Sequence, residues 1–229
     1  MIKVLSWNIR QGGGSRLVKI TSNLLTLKPQ IIVLSEFRNN HAGLSIRAKL
    51  AEGGYRYQAV TAAKPDDNSA AIFSTLPGDI KLFPESDPTY GHNVLAMSFD
   101  AFDVYGMYLP HKKKHVLFDF LIAQAQRTQP SIMVGDMNTG KNGIDQKGNS
   151  FWYEDKLKSL ESHGYTDAFR NIHGDVREYS WYSHQGNGYR YDHSYVSKDL
   201  IPVIKDCYYI HEWREQNLSD HSPMMVTIG

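Results

Sequence analysis

Near the C-terminus lies Ser219-Asp220-His221-Ser222-Pro223, a carboxylate and an imidazole side by side, followed by the apolar run Met224-Met225-Val226. An Asp–His pair can hold a metal, orient an imidazole or move a proton. It can equally be a satisfied structural hydrogen bond. Four further polar groups sit at or near the ends of apolar runs: Trp7-Asn8-Ile9, Ser35-Glu36, Gly135-Asp136-Met137-Asn138 and Arg190-Tyr191-Asp192-His193. Polar residues at several strand ends are where α/β enzymes place their chemistry.

Each group admits a plain and a chemical reading. Asn8 is either a buried structural amide or one that positions a phosphate oxygen or a catalytic carboxylate. Glu36 closes Ile31-Ile32-Val33-Leu34-Ser35. There it is a surface residue just past the strand, or a buried charge needing a partner or a metal. Mg²⁺ takes one or two protein carboxylates together with waters and substrate phosphate. Asp136 and Asn138 stand two apart and, if extended, point to one side. One could activate a water and the other grip a phosphate oxygen, although both types also favour turns. Tyr108-Leu109-Pro110-His111 ends a further run and opens into Lys112-Lys113-Lys114-His115. The phenol can donate to a phosphoryl oxygen. The lysines are either a solvated face or a phosphate-binding rim. Asp192 is the acid that could orient His221.

The elements that must position these residues follow from the hydrophobic pattern. Strands are expected at 2–8, 31–36, 55–59, 70–74, 94–99, 102–108, 132–135, 179–182, 192–196 and 224–228, with a weaker one at 203–209. Helices are expected at 15–27, stopping at Lys28-Pro29, and at 44–52, 116–128 and 151–163, with Gly164 as a C-cap. Lys64–Asn68 and Gly140–Ser150 read as long loops, which in compact domains are often functional. The pattern predicts one α/β domain over residues 1–229, with two sheets packed face to face and helices outside.

Bulk properties set limits. The chain has 229 residues, 41% hydrophobic and 21% charged, which is ordinary for a globular protein. No run is long enough to span a membrane. The N-terminus reads as a strand and not as a secretion signal. Cys207 is the single cysteine, so no intrachain disulfide can form, which suits a reducing cytoplasm. Net charge is +1, from 25 basic against 24 acidic residues. With Glu36, Asp136, Asp192 and Asp220 gathered on one metal-binding face, the remainder is 25 against 20, a mildly basic +5. Gly12-Gly13-Gly14 is a flexible loop and not a phosphate-binding Walker loop, since no Gly-Lys-Ser/Thr follows.

Taken in order, Ser6-Trp7-Asn8-Ile9, Leu34-Ser35-Glu36, Tyr108-Leu109-Pro110, Gly135-Asp136-Met137-Asn138, Tyr189-Arg190-Tyr191-Asp192 and Ser219-Asp220-His221-Ser222-Pro223 resemble the signature of the endonuclease/exonuclease/phosphatase superfamily. That group includes exonuclease III-type abasic-site endonucleases, pancreatic-type deoxyribonucleases, sphingomyelinases and inositol polyphosphate phosphatases. The resemblance implies a four-layer α/β/β/α sandwich of two mixed sheets. It implies Glu36 as principal Mg²⁺ or Mn²⁺ ligand, with Asp220 a second. Asp136 would orient or deprotonate the attacking water, and Asn8, Asn138 and Tyr108 would hold the phosphate. His221, oriented by Asp192, would bind a phosphoryl oxygen or act as general acid/base.

Several positions depart from the abasic-site branch. Arg10 stands where Asp or Asn is usual, and an arginine offers a phosphate contact in place of a metal ligand. His111 replaces an Asn, Tyr189 a Trp, and His193 a Tyr or Phe. Substrate contacts are therefore expected from Arg10, His111, Lys112, Lys113, Tyr189 and Arg190. Tyr182, Tyr191 and Trp181 either stack on bases or belong to the core, with Trp181 expected in the core. The expected activity is a monomeric, metal-dependent nuclease, an endonuclease or 3′ exonuclease cutting DNA, for which DNA repair is one fitting setting. The alternative is a phosphatase or phosphodiesterase for a small or lipid phosphate.

Overall fold

The computed structural model describes residues 1–112 and 114–229. The first sheet has six strands in the order β13-β14-β1-β2-β4-β3. These are β1 (Ile2–Asn8), β2 (Ile31–Phe37), β3 (Tyr57–Val60), β4 (Ser69–Ser74), β13 (Ile204–Tyr209) and β14 (Met224–Ile228). The second has the order β5-β6-β7-β8-β12-β9. It comprises β5 (Asp79–Leu82), β6 (Val94–Ser98), β7 (Asp103–Tyr108), β8 (Ser131–Asp136), β9 (Tyr165–Asp167) and β12 (Asp192–Ser197). A two-stranded ribbon, β10 (Trp181–Tyr182) with β11 (Gly188–Tyr189), stands apart. Both large sheets are mixed: β1/β2 and β7/β8 run parallel and the other pairs antiparallel.

Alternation along each strand sorts side chains to two faces. From β1 and β2, Val4, Ile31 and Val33 point between the sheets, where they meet Val104, Ile132 and Val134 of the second sheet. Leu5, Trp7, Ile32 and Leu34 point the other way, onto Ile20 and Leu24 of α1 (Leu17–Leu27) and Ile46 and Leu50 of α2 (His41–Glu52). On the far side, Tyr105, Met133 and Tyr195 pack against Leu117, Phe118 and Leu121 of α3 (His115–Ala125) and Leu157 and Leu160 of α4 (Glu154–Ser162). This is the expected four-layer α/β/β/α sandwich. Strands covered on both faces read as nearly continuous apolar runs, which is why they stand out in the sequence. Gly106 marks a close approach of the sheets. A Cβ there would lie 2.8 Å from Val33 and 3.0 Å from Ile72.

Where expectation and structure differ, length and exposure explain it. β5 is an edge strand with Ile80 and Leu82 exposed, β9 has three residues and β11 two. The short helices α5 (Ala168–His173) and α6 (His211–Glu215) carry too few turns for periodicity to show. The helix expected from 151 starts only at Glu154, because Tyr153 takes a left-handed φ of 67°. α1 stops as expected, with Lys28 left-handed (φ 51°) ahead of Pro29. Among the described residues, no helix is long and apolar enough to cross a membrane.

Parallel pairing decides where polar residues meet. In β1/β2, Asn8 aligns with Ser35; in β7/β8, Tyr108 aligns with Asp136. β12 runs antiparallel to β8, with Asp192 opposite Asp136. Asp192 therefore opens its strand instead of ending it, yet sits on the same edge. His221 precedes β14, whose first residue Met224 pairs with Ser6 near the end of β1. One edge of the sandwich thus gathers Asn8, Glu36, Tyr108, Asp136, Asp192 and His221.

Candidate active site

Asn8 is fully buried and joins the two sheets. Its Nδ2 donates to Asp136 Oδ2 at 2.8 Å and Glu36 Oε1 at 3.3 Å, while its Oδ1 accepts from the Arg10 backbone at 2.9 Å. Both amide hydrogens are spent on carboxylates. Of the two chemical readings of Asn8, this geometry matches the one that fixes acids and leaves no donor for a phosphate.

Glu36 owes its orientation to a β-bulge. The β2/β4 register slips between Ser35 and Phe37, leaving Glu36 as the extra residue with φ 54°. Bulges re-aim side chains at functional edges. Glu36 Oε2 accepts from the Gln11 backbone at 2.8 Å. Left-handed non-glycine backbone costs about 1–3 kcal/mol per residue and persists where the surroundings over-determine it. Of eight such residues among the described ones, Arg10, Gln11, Glu36, Lys112 and Asn138 lie around this edge.

From the second sheet come Asp136, Asn138 and Tyr108. Asp136 Oδ1 accepts the Asn138 backbone N–H at 2.9 Å, and Oδ2 accepts Asn138 Nδ2 at 3.2 Å. Asn138 is left-handed (φ 49°), not extended, and its Nδ2 also donates to Leu109 O at 3.0 Å. It buttresses Asp136 where the sequence suggested a phosphate grip. The half-buried Tyr108 phenol lies beside Glu36, Asp136 and Asn68. Burial, then the charges of Glu36 and Asp136, push its pKa up and keep it protonated.

His221 completes the edge. Its Nδ1 is 2.8 Å from Asp192 Oδ2 and its Nε2 is 3.9 Å from Asp136 Oδ2. The backbone is pinned by Trp7 Nε1 donating to His221 O (3.0 Å) and by Ser219 Oγ donating to Asn8 O (2.6 Å). Burial disfavours the imidazolium, but Asp192 and Asp136 outweigh it and raise the pKa to about 10. Burial, with the charge of Asp192, also raises the carboxyl of Asp136 against the opposing pull of His221. The result is a charged imidazole between two acids, one orienting it and one poised to accept a proton.

The donor set suits a hard cation. Glu36 and Asp220 are half-buried carboxylates with no ion pair among the described residues; Asp220 Oδ2 accepts only the weak Trp181 Nε1 contact at 3.2 Å and its Oδ1 a Ser219 Oγ contact at 3.4 Å. Asp192 Oδ1 is buried with no hydrogen-bond partner. A second cluster, Asp136–Asp192–His221, has ligating atoms all within 4.8 Å. There the His221 Nδ1 is already taken by Asp192, so the oxygen donors Glu36 and Asp220 fit Mg²⁺ better.

The substrate-contact residues divide. Arg10 is exposed and borders a small cleft with Asp220, Tyr182 and Arg214. His111 and Lys112 are exposed beside Trp152: the His111 and Trp152 rings lie 6.3 Å apart at 24°, and Lys112 Nζ is 5.8 Å from the Trp152 ring centre. Lys113 lies outside the described residues. Tyr189 is buried, stacked on Tyr191 at 5.4 Å, with its hydroxyl accepting the Asn149 N–H at 3.0 Å. Arg190 corrects the sequence reading. It is fully buried, donating to both oxygens of Asp145 (2.8 and 3.0 Å) and to Asp167 (2.5 Å), so no substrate can reach it. This ion cluster ties loop 140–150 to β9. Trp181 is corrected as well: it is half-buried and lines a pocket beside Asn138.

Sequence reasoning missed Phe151 and Trp152, and took Lys114 only as part of a solvated face or phosphate-binding rim. Lys114 is buried, its Nζ donating to Asn138 O at 2.7 Å, and burial lowers its pKa to about 8. The three-lysine run hid this, since one lysine points in while Lys112 points out.

A family model described as the Endonuclease/Exonuclease/phosphatase family matches residues 5–221. The chain belongs to that family, whose members are phosphoester hydrolases. It is similar to a Dictyostelium discoideum DNA-(apurinic or apyrimidinic site) endonuclease, at 23% identity over 99% of this chain and 70% of that protein. It is similar to a Streptococcus pneumoniae exodeoxyribonuclease, at 25% identity over 59% of this chain and 58% of the relative. Among solved structures, an AP endonuclease from Archaeoglobus fulgidus superposes with TM-score 0.86 at 24% identity, covering 100% of this chain and 99% of the other. A Neisseria 3′ phosphatase, NExo, bound to product DNA hairpin superposes at 0.85 with 22% identity and full coverage of both chains.

Proposed function

We propose that residues 1–229 act as one catalytic domain, a monomeric, divalent-metal-dependent phosphodiesterase that cleaves DNA. One observation carries the reading: Asp192, His221, Asp136, Asn8 and Glu36 form a continuous hydrogen-bonded and charge-paired line across the edges of both sheets. The names of the similar proteins, all acting on DNA, favour a nucleic-acid substrate over a small or lipid phosphate.

Glu36, with Asp220, holds Mg²⁺ in this reading. The ion would polarise the phosphoryl group and offset charge built up in an in-line displacement. Asp136 accepts a proton from the attacking water, whose oxygen bonds to phosphorus as the P–O bond to the leaving deoxyribose oxygen breaks; that oxygen leaves with the electron pair and takes a proton from solvent water. Asn8 and Asn138 hold the Asp136 carboxylate in line. The His221 imidazolium, fixed by Asp192, and the Tyr108 phenol donate to phosphoryl oxygens, stabilising charge where it develops.

The test is hydrolysis of abasic duplex, plain duplex, single-stranded DNA, RNA and a panel of phosphomonoesters, with Mg²⁺, Mn²⁺ or EDTA. DNA cleavage that needs metal and falls sharply in Glu36→Ala and His221→Ala is expected. Turnover of phosphomonoesters with no nucleic acid cut would overturn the DNA reading.

A further inference from the structure

A pocket of about 300 Å³ opens beside Asn138, bounded by His111, Phe151, Trp152, Trp181 and Tyr191. Ligand pockets span about 300–1,000 Å³, so this one takes a single nucleoside-sized group. One of its lining residues reaches the reacting carboxylate: Asn138 Nδ2 donates to Asp136 Oδ2 at 3.2 Å. Its inner wall is settled packing: Trp181 and Tyr191 lie 5.4 Å apart, and Phe151 meets Tyr191 edge-on at 5.9 Å.

The outer wall is different. Trp152 is 60% exposed, the most exposed aromatic side chain among the described residues. The exposure does not come from a loose loop. Thr139 Oγ1 donates to Trp152 O at 2.5 Å, and Asn142 Oδ1 accepts from the Phe151 N–H at 2.7 Å. Thr139 is itself fully buried. The backbone is pinned while the ring is left without cover. His111 lies nearly parallel to that ring, and Lys112 brings a cation over it. Partial burial, then the charges of Lys114 and Lys112, lower the His111 pKa, which favours the uncharged ring. A largely exposed, rigidly held aromatic ring with a cation over it, one side chain from the chemistry, complements a group that is flat, aromatic and linked to a phosphate.

We propose that Trp152, flanked by His111, is a stacking platform for one unpaired nucleobase adjoining the scissile phosphate, with Lys112 taking the neighbouring backbone phosphate. The inference rests on the DNA-cleaving reading and adds a base-dependent step to it. An unpaired base costs least to place there when the substrate is single-stranded, frayed or damaged. The platform therefore favours such strands over intact duplex.

The test compares wild type, Trp152→Ala and Trp152→Phe, as full chains with Mg²⁺, on single-stranded oligonucleotides. In one set every nucleotide carries its base. In the other, the nucleotide on one or the other side of the scissile bond is a baseless tetrahydrofuran. Base–aromatic stacking supports a KM increase of about 5- to 150-fold for Trp152→Ala on the intact strand. With tetrahydrofuran at the stacked position, the two proteins should agree within about twofold, and Trp152→Phe should recover most of the loss. Equal impairment of Trp152→Ala on both sets, or on neither, overturns the platform while leaving the nuclease reading intact. Failure of the wild type to cut any oligonucleotide overturns the nuclease reading and the platform with it.

Discussion

Replacing Asp192 with asparagine keeps the shape beside His221 and removes the charge. The imidazole lies 2.8 Å from Asp192 and 3.9 Å from Asp136, and its pKa stands at about 10 against an ordinary 6.5. That difference corresponds to about 5 kcal/mol in favour of the imidazolium. Asp192 is the closer carboxylate and the larger contributor. Without it, burial acts against Asp136 and the weaker pull of Asp220, and the ring returns toward its ordinary value. At pH 8 a ring titrating near 10 is almost wholly charged, whereas one titrating at 6.5 is about 3% charged. Depletion of the imidazolium alone then lowers kcat about 30-fold, and loss of the ring's orientation adds to it, within the roughly 10²–10⁴-fold typical of such groups. The assay is steady-state cleavage of a labelled oligonucleotide from pH 5.5 to 10.5. In the wild type the alkaline limb falls near pH 10. In Asp192→Asn it moves to lower pH, and the gap between the proteins narrows below pH 6, where either ring is charged. A variant within threefold of wild type at pH 8, with the alkaline limb unmoved, would refute the charge-holding role of Asp192.

Further outcomes follow from other parts of the molecule. Glu36→Gln keeps the bulge and removes the ligand charge, so calorimetric titration should show Mg²⁺ affinity reduced about 100-fold or more. Arg190→Met leaves Asp145 and Asp167 buried without their shared counterion, and urea unfolding should report a loss of about 3–5 kcal/mol, with Mg²⁺ affinity of the folded fraction retained. Gly135 has φ 154°, and a Cβ there would lie 2.1 Å from Met107 O. Gly135→Ala should therefore cost about 2–4 kcal/mol in thermal or urea denaturation and displace Asp136, lowering kcat as well.

Most of the sandwich was legible because its central strands are covered on both faces. β1 and β14 run over the residues expected, and β2, β7, β8 and β12 agree to within a residue at either end. The exceptions depended on tertiary context. β5 lies on an open edge and β9 is three residues long, so neither carries a pattern of its own. Asn8, Glu36, Asp136, Asp192 and His221 were each visible as polar residues beside apolar runs. That Glu36 stands on a bulge, and that Asn138 turns back onto Asp136, depends on pairing and backbone conformation that no local pattern encodes. Arg190 misled because Arg-x-Asp reads alike whether the guanidinium faces solvent or buried counterions. Its partners, Asp145 and Asp167, lie 45 and 23 residues away. Trp152 was hidden for the opposite reason. In the sequence it opens a helix-like run, and only the left-handed turn at Tyr153 swings it out to the rim.

The central claim is that one edge of the sandwich is a metal-dependent centre for DNA phosphodiester hydrolysis. It is tested most directly by incubating the wild-type chain with single-stranded and duplex DNA in Mg²⁺ and in EDTA, with His221→Ala and Glu36→Ala alongside. The account predicts cleavage by wild type in Mg²⁺, none in EDTA, and losses of at least about 100-fold in both variants. Undiminished cleavage in EDTA, or full activity in His221→Ala, would contradict it.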